Sequence, residues 1–114
     1  MKHFHYYEAE ENAVTDYNSK KTAIRVFITK EEAPNFIMRR FEIKPGGLIG
    51  VHAHPAEHEI YVLSGEMYLT DDKGKKEKVG KDEFIYVPPN EPHGYVNESK
   101  ETAIFICVIP KAKS

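Results

Sequence analysis

Cysteine is almost missing from this 114-residue chain; Cys107 is the only one. An internal disulfide is therefore excluded, which suits a reducing compartment. Long apolar runs are missing too. None approaches the roughly 18 residues of a membrane-spanning helix, and residues 1–8 lack the apolar core of a secretion signal. The expectation is a soluble, cytoplasmic protein without a membrane partner. No charge of one sign dominates: 16 Lys and Arg face 18 Asp and Glu, mixed along the chain, for a net charge of −2. Nothing in that pattern tracks a phosphate backbone, so nucleic acid is not an expected partner. Arginine is scarce, occurring only at positions 25, 39 and 40. No segment carries a helical period longer than a turn.

What is present is a series of short β-branched and aromatic runs separated by turn residues. They predict strands at 24–29, 36–43, 49–54, 58–64, 66–70, 75–79, 84–87, 92–97 and 102–109. Lys44-Pro-Gly-Gly47 is expected to end the second of these. Ser64-Gly65 and Asp71-Asp-Lys-Gly74 read as turns. Short strands at regular spacing over one domain's length argue for an all-β barrel or sandwich. Residues 1–22 are polar with scattered aromatics and read as an extended arm outside the core, open to exchange in a dimer. Residues 23–114 form the single barrel domain. In 58–63, His58, Ile60 and Val62 share one face while Tyr61 and Leu63 share the other. In 104–109 both alternating sets are apolar. Strands apolar on both faces are usually covered on both, so a homodimer is expected.

Histidine is concentrated in one place. His52, His54 and His58 fall within seven residues, and His93 lies in a second, proline-marked stretch, residues 88–97. On a strand, residues i and i+2 point to one face, about 6–7 Å apart. Two imidazoles so placed can reach one ion with bonds of about 2.0–2.2 Å. Residues 55–57 let the chain turn back, and His58 opens the next apolar run, where it can face the same cavity. Glu59 is the alternative ligand there, and only one of the two faces inward on a regular strand. His3 and His5 form another pair, but with no third ligand nearby they read as surface residues.

These residues resemble the two motifs of the cupins. Gly46, His52, His54 and Gly65 fit the first, and its spacing puts the family's acidic ligand position at His58. Pro88, His93 and Asn97 fit the second, with Asn90 where the family has glycine. The similarity spans roughly residues 33–110 and is nearest to single-domain cupins with a four-histidine, often manganese-binding site. It implies a double-stranded β-helix, a jelly-roll barrel. Inside it would sit one divalent transition-metal ion per chain on His52, His54, His58 and His93. Imidazole suits manganese, iron, nickel, copper and zinc alike, and availability favours Mn2+ or Fe2+. The implied function is oxygenase-type chemistry, dependent on oxygen or peroxide, on a small organic molecule. The alternatives are a metal-bearing binding or sensing module without turnover, and, third, a sugar-phosphate isomerase. No strong general base stands out; Tyr95, Glu57 and Cys107 are the catalytic candidates. Tyr95 shares the parity of His93 and is expected to wall the pocket. Cys107 is expected to line the cavity while Ile106 and Val108 point away. Arg39 and Arg40 point to opposite faces, so one could enter the barrel, where a buried guanidinium would need an anion such as a substrate carboxylate; the expectation is that both sit in surface or interface pairs.

Overall fold

The computed structural model describes residues 1–111. Among these residues nine strands run in chain order: β1 Glu11–Ala13, β2 Lys20–Ile28, β3 Phe36–His52, β4 His58–Ser64, β5 Glu66–Thr70, β6 Lys76–Gly80, β7 Phe84–Val87, β8 His93–Val96 and β9 Ala103–Pro110. All pairings are antiparallel. They link β6-β5-β8-β3-β9-β4-β7, with β2 on β3 and β1 on β2. The architecture is a jelly-roll barrel, the double-stranded β-helix.

β3 holds it together. Its first half pairs with β9 from Phe36 to Ile43, and its second half pairs with β8 from Leu48 to His52. The expected strand end at residues 44–47 is thus a correction: the strand continues through Pro45-Gly46-Gly47 and changes partner there. Glycine is needed at this corner because a Cβ on Gly47 would lie 2.8–2.9 Å from the carbonyl oxygens of Lys20, Lys21 and Lys44. Asn97 secures the same corner. It is fully buried, donates its side-chain amide to the Ile43 and Glu101 carbonyls, and accepts from the Ser99 amide and hydroxyl.

The inward set follows strand parity. Phe41 and Ile43 of β3, Ile60 and Val62 of β4, and Ala103, Phe105 and Cys107 of β9 are buried together. The opposite parity leaves Tyr61, Leu63, Phe84 and Tyr86 on the outside, 47%, 40%, 76% and 50% exposed. They share a sheet face with half-buried Ile104 and Ile106.

Residues 1–22 are more ordered than their polarity suggests. They carry two 3-10 turns, Tyr6–Glu8 and Asp16–Asn18, besides β1. Arg25 of β2 donates to the Ala9 carbonyl, and Ala9 is buried. Val14 packs on the barrel core.

Candidate metal centre

Three short segments deliver the histidines. His52 ends β3, His54 follows in the loop, His58 opens β4 and His93 opens β8. The β3–β8 register sets His52 opposite His93. Ring centroids lie 4.4 Å apart for His52–His93, 5.3 Å for His52–His54, 4.3 Å for His54–His58 and 5.2 Å for His58–His93. One nitrogen from each of His52, His54 and His93 can be chosen so that all three lie within 4.8 Å of one another. His58 stands outside that closest group but adjoins it through His54.

The outer nitrogens of the rings are fixed. Nδ1 of His52 lies 2.8 Å from the Gly50 carbonyl, that of His54 2.8 Å from the Ala56 carbonyl, and that of His93 2.8 Å from the Glu91 carbonyl. A carbonyl accepts only, so each Nδ1 carries the proton and each Nε2 keeps a free lone pair. His58 differs: its Nδ1 faces the Cys107 sulfur at 3.4 Å. His93 Nε2 is buried without any hydrogen-bond partner. A buried, unpartnered acceptor is costly, and a metal ion held with His52 and His54 is a group that would satisfy it.

His52, His58 and His93 are poor proton acceptors. Burial pushes His58 down to about 3, helped by the Arg39 charge and by the neighbouring imidazoles. Burial also lowers His93 to about 4, against the pull of the Glu91 carbonyl. His52 moves the same way for the same leading reason. Neutral imidazole at ordinary pH is the form that ligates.

A cavity of about 350 Å³ opens beside His52, His54 and His58. Its apolar wall includes Ile24, Phe41, Ile49 and Phe105, with Tyr95 and Cys107. Tyr95 and Cys107 are both buried, and burial raises both, so the phenol and the thiol stay protonated. Tyr95 Oη has no partner. Glu57 does not line this cavity. Glu59 is exposed, pairs in register with Tyr86 and Val108 on the outer face, and is raised to about 7 by a hydrogen bond with the Glu57 carboxyl, then by desolvation and like charge.

Two features of the site were not foreseen. Tyr17 stacks on His52 with centroids 3.9 Å apart and planes 4° apart. It does so from a left-handed backbone, φ 58° at both Tyr17 and Asn18. The Tyr17 carbonyl approaches β3 so closely that a Cβ on Gly50 would sit 1.9 Å from its oxygen. Residues 13–17 thereby wall the cavity, and Asp16 stands among its lining. No sequence signal marks this, although a glycine two residues before His52 is compatible with a close backbone approach. The second feature corrects the expectation for the arginines. Arg40 takes the opposite face, buried against the Tyr6 ring at 3.9 Å and 3.4 Å from Glu42, whereas Arg39 lines the cavity. Parity with inward Phe41 and Ile43 was the signal that could have assigned it.

With this geometry in view, comparison with known proteins is decisive for the family. The cupin domain family matches residues 39–109. The chain belongs to the cupin family. Among solved structures, this cupin is similar to the polyketide cyclase RemF from Streptomyces resistomycificus. The two are 38% identical, the match covers 98% of this chain and 80% of that one, and the TM-score is 0.91. A predicted oxalate decarboxylase from Thermotoga maritima matches at 20% identity over 95% of this chain and 97% of its own, with a TM-score of 0.83. A cupin-superfamily sugar phosphate isomerase from Silicibacter pomeroyi matches at 15% identity, over 97% and 76%, with a TM-score of 0.82. These last two likenesses establish the fold alone. No curated protein matches the sequence.

Proposed function

We propose that this cupin is a metal-dependent catalyst whose divalent first-row ion rests on His52, His54, His58 and His93. The observation that carries the reading is the set of three Nδ1 atoms tied to carbonyls, which turns three Nε2 lone pairs free, with His93 Nε2 buried and unpartnered. When bound, such an ion supplies Lewis acidity to an oxygen of the substrate. The ligand set is neutral throughout, so the ion's charge is left to act on the substrate, and no carboxylate favours a higher oxidation state. That supports activation of a small organic molecule through its oxygens more than activation of oxygen or peroxide, the oxygenase-type chemistry implied by the cupin resemblance. The name of the 38%-identical structure, a polyketide cyclase, points the same way.

The chain's own residues shape the rest. Tyr17 covers one side of His52 and narrows access for water. Tyr95, protonated and unpartnered, offers a hydrogen bond into the cavity. Asp16, the carboxylate among the lining residues, is the candidate base, placed by the 3-10 turn that also places Tyr17. Cys107 orients His58. Elemental analysis of the purified protein, beside the His52→Ala/His93→Ala variant, tests the reading: about one ion per chain is expected in the first and none in the second. Equal metal content in both would refute it.

We also propose that two copies pair through the outer face bearing Tyr61, Leu63, Phe84 and Tyr86. Four large apolar side chains exposed on one sheet face support this, since single domains seldom leave such a patch to water.

A further inference from the structure

Among the described residues, Arg39 is the arginine without a carboxylate within ion-pair distance. Arg25 pairs with Glu11 at 3.4 Å and Arg40 stands 3.4 Å from Glu42. Among the described residues no ion pair includes Arg39. Its position is fixed by the β3–β9 register, which sets it opposite Cys107 with its side chain in the cavity. Its Nη2 donates to the Cys107 sulfur at 3.2 Å, a weak acceptor, and its guanidinium lies 5.0 Å from the Phe41 ring centroid. Its Nε is buried with no partner at all. The Arg39 side chain is half-buried, and a guanidinium partly withdrawn from water without a counter-charge is costly unless something supplies one. Imidazoles, a thiol and a phenol face the same space; Asp16 is the one carboxylate among the lining residues, and it forms no ion pair with Arg39.

From this we infer that the cavity binds an organic anion, a carboxylate on a flat apolar body, with Arg39 as the anchor for the charge. The inference rests on the proposed metal site only for what happens next: the anchored molecule would lie beside the histidines. The guanidinium presents parallel N–H groups that match a carboxylate's two oxygens. Tyr95 Oη, buried and unpartnered, supplies a further donor. The apolar remainder of the wall suits a body of roughly one or two rings in about 350 Å³. A sugar phosphate fits less well, because one guanidinium and one phenol leave most of its hydroxyls without partners.

Calorimetric titration with 1-naphthoate and its neutral counterpart 1-naphthamide tests this. The full chain is used, both as purified and after chelation. Naphthoate is expected to bind at least about tenfold tighter than the amide in both preparations. Arg39→Met should abolish the preference while leaving metal content unchanged. If that variant fails to fold, Arg39→Lys, which keeps the charge but not the fork, should reduce the preference at least about threefold. Equal affinity for the two probes, no binding of either below about millimolar concentration, or a preference that survives in the variants would overturn the inference. The chelated arm separates the two proposals. Protein purified without metal would fail the metal reading and leave the naphthoate preference to be read, whereas metal-replete protein indifferent to charge would fail this one.

Discussion

Acid should unfold the metal-free protein by a route that the buried histidines set. His58 and His93 titrate at about 3 and about 4 in the folded chain, against 6.5 for a free imidazole, chiefly because burial disfavours the charged ring. Between those values the unfolded chain binds more protons than the folded one. Stability is therefore complete above about pH 6.5 and falls as pH drops toward the folded values. Each pH unit in that window costs about 1.4 kcal/mol per ring, so by about pH 5 each ring accounts for about 2 kcal/mol. Both rings keep some contact with solvent and lie close to each other, so the combined loss is about 2–4 kcal/mol. Glu59 moves oppositely, since its folded value of about 7 lies above the usual 4.5, but it stands exposed on the outer face and its effect is screened. Urea unfolding of chelator-treated protein at about pH 7.5 and about pH 5, at constant ionic strength, measures the difference. A His58→Gln/His93→Gln variant should lose most of it. A change below about 0.5 kcal/mol in the parent protein would refute the reasoning, because these rings would then not be buried and neutral.

Other outcomes follow from the same structure. Gly50→Ala should destabilise the protein by about 1–3 kcal/mol, or release the 14–19 segment and make it sensitive to protease, since its Cβ meets the Tyr17 carbonyl oxygen at 1.9 Å; unchanged urea midpoint and protease resistance together would contradict the packing. Asn97→Ala should cost about 2–4 kcal/mol in urea unfolding, because the buried Ile43 carbonyl and the half-buried Glu101 carbonyl lose their donor and Ser99 loses its acceptor; a cost under about 1 kcal/mol would show that water replaces the amide. Light scattering at micromolar concentration should give a dimer mass, reduced to about 13 kDa by Tyr61→Lys/Phe84→Glu; a monomeric parent protein would rule out the outer-face pairing.

Much of the barrel was legible because its strands alternate. β4, β5 and β7 have the expected bounds, and the inward set His58, Ile60 and Val62 follows from parity. β3 was harder. A Pro-Gly-Gly run ordinarily ends a strand, and here it is the corner at which one strand exchanges β9 for β8. That exchange is a tertiary event with no local signal. The clustering of His52, His54 and His58 was legible from spacing, and the approach of His93 from the second proline-marked stretch. Residues 13–17 were not legible as a cavity wall. Their order depends on contacts distant in sequence: the Arg25 bond to the Ala9 carbonyl, the room left by Gly50 and the His52 ring under Tyr17. Cys107 lines the cavity, as the alternation of β9 implies, but its position between Arg39 and His58 depends on pairing with β3 and β4 together.

The central claim is that four imidazoles hold one ion. An anomalous-scattering map of crystals of protein purified from its own host, read with elemental analysis of the same preparation, tests it most directly. One divalent first-row ion per chain is expected, about 2.0–2.2 Å from Nε2 of His52, His54, His58 and His93. An anomalous peak away from these rings, or a metal-free preparation whose four rings hold only water, would contradict it.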